Sequence, residues 1–226
     1  YMKNIQDLLE KVQNKYIHEI LRSVTRVSKK EDKSAYIVGG FVRDLIMEKE
    51  LNDIDIMVVG DGINFAKKIA SEIGVKKIVP FEKFGTALIP NKNIQVEIAT
   101  AREEKYNSES RKPSKIIYTD LKGDLVRRDF TINAMAMHVS IENFGLLTDP
   151  YNGSADIENK ILRTPLDPDE TFSEDPLRMM RAAYFASKLG FKIEDKCIDS
   201  MKRQSERIKI VSWERIRDEL FKILKT

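Results

Sequence analysis

The chain has 226 residues, 42% hydrophobic and 33% charged, with a formal net charge of +3. This suits a globular protein with a real core and a charge-rich surface, and gives room for one large domain or one domain with an appendage. Cys197 is the only cysteine, which excludes a disulfide framework and a cysteine zinc site and points to a reducing, cytoplasmic setting. No apolar run approaches membrane-spanning length, and Tyr1-Met2-Lys3-Asn4 does not resemble a secretory signal. Tyr1 ahead of Met2 reads as an added residue. The two histidines, His18 in a helical pattern and His138 in a strand-like run, read as structural residues. The charge is uneven: Pro176 to Thr226 holds thirteen Lys/Arg against seven Asp/Glu. A basic end fits an RNA backbone or a solvated helix face equally well.

Ile5, Leu8, Leu9, Val12, Ile17, Ile20, Leu21 and Val24 recur at helical spacing, which predicts one amphipathic helix over about 4–25. Lys29 to Lys33 reads as a charged link. A strand over 35–39 is expected next, then a helix over about 40–48 opening at Gly39-Gly40, then a strand carrying Asp53-Ile54-Asp55. Asp61-Gly62 reads as a turn, 63–73 as a helix, and 76–80, 85–89 and 94–100 as short strands. From Arg102 to Asp124 there is no apolar period, which predicts a long loop of functional or disordered character. Ala134 to Val139 reads as buried, and Asp149-Pro150-Tyr151-Asn152-Gly153 as a turn. Helices are expected at about 175–189, 195–205 and 213–225. Strands alternating with helices and then a helical tail predict an α/β (α+β) head, with a small mixed sheet flanked by helices, followed by an all-α segment. The boundary falls near Asp149 to Gly153, giving 1–153 and 154–226.

A strand repeats every two residues, so Asp53 and Asp55 project from one face. Two carboxylates beside a glycine turn can hold Mg2+ together with a polyphosphate, because hard divalent ions take oxygen ligands. A solvated acidic strand end is equally open for an Asp-x-Asp taken alone. Glu97 breaks an otherwise apolar strand and faces away from Ile94, Val96 and Ile98. It is a third carboxylate for the same site or a solvated strand residue.

Six segments carry a family resemblance: Gly39-Gly40-Phe41-Val42-Arg43-Asp44, Asp53-Ile54-Asp55, Arg127-Arg128-Asp129-Phe130-Thr131-Ile132-Asn133-Ala134, Asp149-Pro150-Tyr151-Asn152-Gly153, Glu174-Asp175-Pro176-Leu177-Arg178-Met179-Met180-Arg181-Ala182-Ala183, and Glu214-Arg215-Ile216-Arg217-Asp218-Glu219-Leu220-Phe221-Lys222-Ile223-Leu224. In this order they resemble the class II tRNA nucleotidyltransferases (CCA-adding enzymes) and the related bacterial poly(A) polymerases, over about residues 36–226. The resemblance implies addition of C and/or A to the 3′ end of an RNA, most naturally tRNA, from CTP or ATP with Mg2+ and release of pyrophosphate. Poly(A) tailing, or an RNA-binding module that kept the fold without catalysis, stays open beside it. It also implies that Asp53 and Asp55 hold the metal, with Glu97 the candidate third carboxylate.

By the same resemblance Gly39, Gly40 and Arg43 meet the incoming nucleotide. A glycine turn lets backbone amides approach a triphosphate, and Arg43 can pair with phosphate oxygens. Asp44 reads as the structural partner of a nearby base. Arg128 and Asp129 are carried over as ribose and phosphate contacts braced by Asn133; a helix-capping Asp129 is compatible with that. Asp175 and Arg178, three apart, are expected to share a helical face and read a nucleobase edge, with Arg181 one turn on; a surface ion pair is the bland alternative. A carboxylate accepting from an amino group and a guanidinium donating to a ring acceptor suits cytosine and adenine and opposes uracil and guanine. Many family members carry Arg where this chain has Tyr184, so a contact there is lost or passed to the phenol. The segment 102–125 corresponds to the family's mobile loop. The chain stops within a helix-like stretch, where the family continues into further helical regions, so it is expected to hold the head and the start of the neck.

Overall fold

The computed structural model describes residues 3–91, 94–107 and 110–226, with the backbone alone for 103–107 and 110–116. Contacts gather the chain into two compact units. The first comprises Tyr1–Arg102, Tyr118–Leu125 and Met135–Pro150, and the second Glu103–Ile117, Val126–Ala134 and Tyr151–Thr226.

In the first unit the predicted N-terminal helix is two helices, α1 (Gln6–Glu10) and α2 (Lys15–Glu31). Asn14 forces the break: it is extended, and its side chain accepts from the Tyr16 amide at 3.0 Å, capping α2. Lys29 and Lys30, read as a link, form the last turn of α2, where cations suit the carbonyl end of the helix. Then come β1 (Ala35–Val38), α3 (Gly40–Ile46), β2 (Asp53–Val58), α4 (Gly62–Glu72), β3 (Val79–Phe81), β4 (Thr86–Ile89) and β5 (Gln95–Thr100). After β6 (Arg102–Asn107) and β7 (Ser110–Tyr118), most of whose residues belong to the second unit, and α5 (Leu121–Val126), the first unit closes with β8 (Ala136–His138) and β9 (Leu147–Thr148).

Seven strands make one sheet in the order β3-β4-β5-β2-β1-β8-β9. Only the central β2–β5 pair is parallel, its crossover containing α4, and the other pairs are antiparallel. Ile37, Ile54, Ile56, Val96 and Ile98 are fully buried, and α4 packs on β4 and β5 through Phe65, Ala66, Ile69 and Ala70. The alternate residues Asp55 and Glu97 stay partly exposed and Asp53 is exposed. The sheet is therefore apolar on its helix-covered face and polar on the other, the usual pattern for strands with one open face.

The predicted loop over 102–125 is overturned. β6 and β7 form a separate two-stranded sheet, and α5 follows. Residues 108 and 109 of that stretch lie outside the described residues. Strand pairing through the backbone needs no apolar alternation, so hydrophobic periodicity could not reveal it.

Beside the β6–β7 sheet, the second unit is helical apart from one short parallel pair, β10 (Ile161–Leu162) with β11 (Lys192–Ile193). Its helices are α6 (Gly153–Asn159), α7 (Pro168–Glu174), α8 (Leu177–Leu189), α9 (Asp195–Gln204) and α10 (Trp213–Leu224). α7 packs on α9 and α10 packs on α8. A network on Asp169 ties α7 to α9: Ser200 Oγ donates at 2.5 Å and Arg203 Nη2 at 2.8 Å.

The Asp61-Gly62 turn pins α4 to the sheet. The Gly62 amide donates to Thr100 Oγ1 at 3.0 Å, and that hydroxyl donates to the Gly85 carbonyl at 3.0 Å. A Cβ on Gly62 would lie 2.8 Å from the Thr100 amide nitrogen and 2.9 Å from the Gly85 oxygen, both backbone atoms. Gly62→Ala gains about 1 kcal/mol of helix propensity, but overpacking costs about 1–3 kcal/mol. The expected net effect is a loss of up to about 2 kcal/mol, read as a lower urea midpoint with an unchanged slope.

Candidate active site

Each unit carries its own group of the residues singled out in the sequence. In the first, β1 and β2 run antiparallel with Ile37 opposite Ile56, so the chain leaves β1 at Gly39 beside the end where Asp53 and Asp55 begin β2. Gly39 has φ 71° and ψ −132°, a backbone state that L side chains rarely adopt. The turn thus depends on Gly39 more than on Gly40, which sits in α3. A Cβ at Gly40 would meet Arg43 Nη2 at 3.5 Å, an ordinary contact. Arg43 is buried and donates through Nε and Nη2 to Asp44 at 2.8 and 2.7 Å. Asp44 is therefore the acidic partner of Arg43, and the fork is already oriented beside the glycine turn.

The parallel pairing sets Asp55 opposite Glu97 and Asp53 opposite Gln95. Residues opposite one another share a face, so Asp53, Asp55 and Glu97 all lie on the open side of the sheet. The same row continues outward, with Glu97 opposite Leu88 and Leu88 opposite Val79. These carboxylates do not make a closed cage: among the described residues no group of three or more His, Cys, Asp and Glu side chains is disposed to hold an ion. Hard oxygen donors on one open face, beside the Gly39 turn, fit a divalent ion whose remaining ligands come from a bound phosphate.

In the second unit a single 3-10 turn (Thr131–Asn133) presents Asp129 and Asn133. Asp129 is buried. Its Oδ1 accepts from the Phe130 amide at 2.8 Å and from Asn133 Nδ2 at 3.0 Å. Its Oδ2 accepts from Arg181 Nε at 2.7 Å and pairs with Arg181 Nη2 at 2.5 Å. Burial pushes the carboxyl up, but the charge of Arg181, with hydrogen bonds from Asn133 and Arg181, outweighs it and holds Asp129 below the usual aspartate range. The charge of Asp129 in turn raises Arg181 above the ordinary arginine value, against its burial, with Glu219 and Asp175 acting in the same sense. The Arg181 guanidinium also lies 5.2 Å from the Phe185 ring centroid. Arg128, next to Asp129, is half-buried.

Asp175 and Arg178 do not share a helical face. Asp175 is extended, with φ −136° and ψ 96°, and α8 begins only at Leu177. The cause is Pro176, whose ring disfavours the helical conformation in the residue before it. Asp175 Oδ1 accepts from the Leu177 amide at 3.1 Å, a local turn at the start of α8. Arg178 is buried and pairs instead with Glu174, Nη1 to Oε2 at 3.2 Å. It also donates to the carbonyls of Thr171 at 3.2 Å and Arg127 at 2.6 Å. Arg178 therefore fixes the backbone on which Arg128 and Asp129 stand. Sequence reasoning missed a second brace of that segment. Asp156 Oδ2 accepts from Thr131 Oγ1 at 2.5 Å and Arg163 Nε at 2.7 Å, while the Arg163 carbonyl accepts from the Thr131 amide at 2.9 Å. No spacing rule links these three residues.

Residues 35–163 match the family described as "Poly A polymerase head domain", and residues 190–226 the one described as "Probable RNA and SrmB-binding site of polymerase A". The chain belongs to the poly A polymerase head-domain family. Among its relatives, the A-adding tRNA nucleotidyltransferase of Aquifex aeolicus is 46% identical over 159 residues, 70% of this chain and 19% of the relative. The CCA-adding enzyme of Lactobacillus helveticus is 38% identical over 190 residues, 84% of this chain and 45% of the relative. A solved CCA-adding enzyme in an apo form superposes at a TM-score of 0.88 with 34% identity, covering 99% of this chain and 52% of that one. CCA-adding enzymes solved with CTP, with ATP and, for Thermotoga maritima, with tRNA superpose at 0.84 with 32% identity, over 99% of this chain and 50–51% of theirs. The chain thus spans about a fifth to a half of the length of these relatives. No helix among the described residues is long and apolar enough to cross a membrane.

The buried Asp129–Arg181 pair offers a stability test. A carboxyl held low contributes stability that is complete above its unfolded value of about 3.9 and is lost as pH falls through the lower folded value. Asp129→Asn should cost about 2–3 kcal/mol near neutral pH, less than the ~3–5 of a fully buried pair because Arg181 is a third exposed. It should also flatten the fall in stability below about pH 4. Urea melts of both proteins from pH 3 to 7 read both effects.

Proposed function

We propose that this protein is an RNA nucleotidyltransferase that adds C and/or A, without a nucleic-acid template, to the 3′ end of tRNA, using CTP or ATP with Mg2+ and releasing pyrophosphate. The observation that carries this is Asp53, Asp55 and Glu97 on one open sheet face beside the Gly39 turn, in a chain whose relatives are A-adding and CCA-adding enzymes. Mg2+ is chosen because the donors are hard oxygens that leave room for phosphate ligands. When bound, the metal would supply charge neutralisation and Lewis acidity at the reacting phosphate.

The chain's own residues do the rest. Asp53 and Asp55 hold the cation, and Glu97 adds a third carboxylate. The Gly39 turn, whose own amide donates to the Met135 carbonyl at 3.3 Å, sets the amide of Gly40 and the oriented fork of Arg43 to receive the triphosphate. Arg128 and Asp129 meet ribose and phosphate, with Asn133 fixing the Asp129 carboxylate. Asp175 accepts from the amino group of cytosine or adenine. Arg181 supplies a donor at the same end, and Arg178, with both Nη atoms committed to protein oxygens, acts chiefly through the position of Arg128. In-line attack by the RNA 3′ hydroxyl on the α-phosphate breaks the bond to pyrophosphate and needs no covalent enzyme intermediate. In this reading residues 1–153 are a catalytic head and 154–226 the beginning of a helical neck. With Cys197 the sole cysteine, we place the reaction in the reducing cytoplasm.

A-only addition is the second reading, favoured by the 46% identity to an A-adding enzyme. One experiment separates them: the full-length protein with tRNAs ending before CCA, after C and after CC, each with CTP, ATP or both, read as product length. Three added nucleotides support CCA addition, a single A on the CC-ending tRNA supports A-only addition, and a long A tract would mark a poly(A) polymerase. No extension, together with equal affinity for all four nucleotides, would sink the proposal in favour of an RNA-binding module. Asp55→Asn should lower the rate about a thousandfold, the several kcal/mol a metal contributes at the transition state, while leaving tRNA affinity nearly unchanged.

A further inference from the structure

The free edge of the sheet in the first unit carries a patch the proposed reaction leaves unexplained. β3 ends the strand order and, among the described residues, pairs only with β4. Val79 and Phe81 on this strand are 43% and 48% exposed; Phe84, in the following turn, is 40% and Tyr118 63% exposed. Side chains of this size rarely gather on a surface without a partner. Val79, two residues before Phe81, stands in the register row that runs through Leu88 and Glu97 to Asp55. Val79, and Phe81 two residues on, therefore lie on the same sheet face as the carboxylates. At about 4.8 Å per strand, Val79 is roughly 14 Å from Asp55.

The patch is aromatic and cationic together. Lys83 Nζ lies 5.9 Å and the Arg102 guanidinium 5.7 Å from the Phe84 ring centroid. Arg102 Nη1 also donates to the Phe84 carbonyl at 2.6 Å, fixing the turn. The Tyr118 hydroxyl reaches the same turn: a Cβ built on Gly85 would lie 3.3 Å from it. Lys76 and Lys77 precede β3, and Glu82 is the one acidic residue between Lys76 and Phe84. A protein strand adding to this edge is disfavoured, because Pro80 at the middle of the three-residue strand has no N–H to donate.

We propose that the β3 edge, with Phe81, Phe84 and Tyr118 as stacking surfaces and Lys83 and Arg102 beside them, binds unpaired bases of the RNA strand whose 3′ end reaches the Asp53/Asp55 face. Aromatic rings interleaved with cations are the chemistry that holds single-stranded RNA without reading its sequence. A span of about 14 Å corresponds to about four nucleotides at ~3.4 Å each. This rests on the nucleotidyltransferase reading, which supplies the RNA 3′ end.

The test uses the full-length protein, Phe81→Ala, Tyr118→Ala and the double variant, with fluorescently labelled single-stranded RNAs of three and eight nucleotides. Both side chains are exposed, so the variants should keep the wild-type melting temperature. Each substitution is expected to weaken eight-nucleotide binding about tenfold, with a larger loss in the double variant. Three-nucleotide binding and the affinities for CTP and ATP should be unchanged. Wild-type affinity of the double variant for the longer RNA, with CTP and ATP binding intact, would overturn the patch and leave the enzymatic reading standing. Equal affinity of the wild-type protein for all four nucleotides would strike that reading itself. Self-association of the wild-type protein in light scattering, abolished by Phe81→Ala while RNA affinity is unchanged, would also overturn the proposal and assign the edge to a second copy of the chain.

Discussion

Parallel pairing of β2 with β5 places Asp55 and Glu97 level with each other on one side of the sheet, with Asp53 two residues away. Two carboxylates about 5 Å apart repel by about 3 kcal/mol at an effective dielectric of 20, and by less where water reaches them. Such an arrangement is tolerable on an open face and unfavourable in a core. The exposure of Asp53 and the half-exposure of Asp55 and Glu97 are therefore part of the same design as their proximity. The apolar residues between them, Ile54, Ile56, Val96 and Ile98, are fully buried and hold the strands in this register. A slip of one residue would turn the carboxylates into the core, so packing on the helix-covered face enforces the chemistry of the other.

The second unit solves a different electrostatic problem. Asp129 is buried, so its charge requires a partner, and Arg181 on α8 supplies one with two guanidinium nitrogens. The short 3-10 turn that carries Asn133 is held at three points: Asp129 to Arg181, the Arg127 carbonyl to Arg178, and Thr131 to Asp156 and Arg163. A short irregular segment lacks the repeating hydrogen bonds that fix a helix or strand. Bonds from flanking elements do that work here, from the charged side chains of Arg181, Arg178 and Asp156 and from the backbone carbonyl of Arg163.

The open sheet face was legible because a period of two is written directly into Asp53-Ile54-Asp55 and into Val96-Glu97-Ile98. Which residue of β5 would stand opposite Asp55 was not, since register across a parallel pair depends on a crossover containing all of α4. The Asp175–Arg178 geometry was misread although its cause is visible in the chain: Asp175 precedes Pro176, and that position leaves the helical region. The break between α1 and α2 was likewise signalled by Asn14, a good capping residue inside an apolar period that runs on past it. β6 and β7 lay beyond this kind of reading, because their pairing rests on the backbone. The Asp156 brace lay beyond it too, since it joins residues whose separation carries no periodic meaning.

Tyr184 puts an aromatic ring on α8 one turn after Arg181. An arginine at this position would add a further cation to α8, which already carries Arg178, Arg181 and Lys188, whereas the tyrosine adds a ring. That ring packs 5.1 Å from Phe185, and Lys188 Nζ lies 5.5 Å from its centroid. Phe185 in turn meets Phe130 edge-on at 5.8 Å, directly after Asp129 in the chain. An aromatic series thus runs from α8 to the segment that holds the buried carboxylate, beside the Arg181 ion pair. Asp129 already has both oxygens bonded, by Arg181, Asn133 and the Phe130 amide, so the missing arginine leaves no carboxylate oxygen there without a donor. At 184 a ring therefore extends the packing beside Phe185 and Phe130, and Asp129 draws no hydrogen bond from this position.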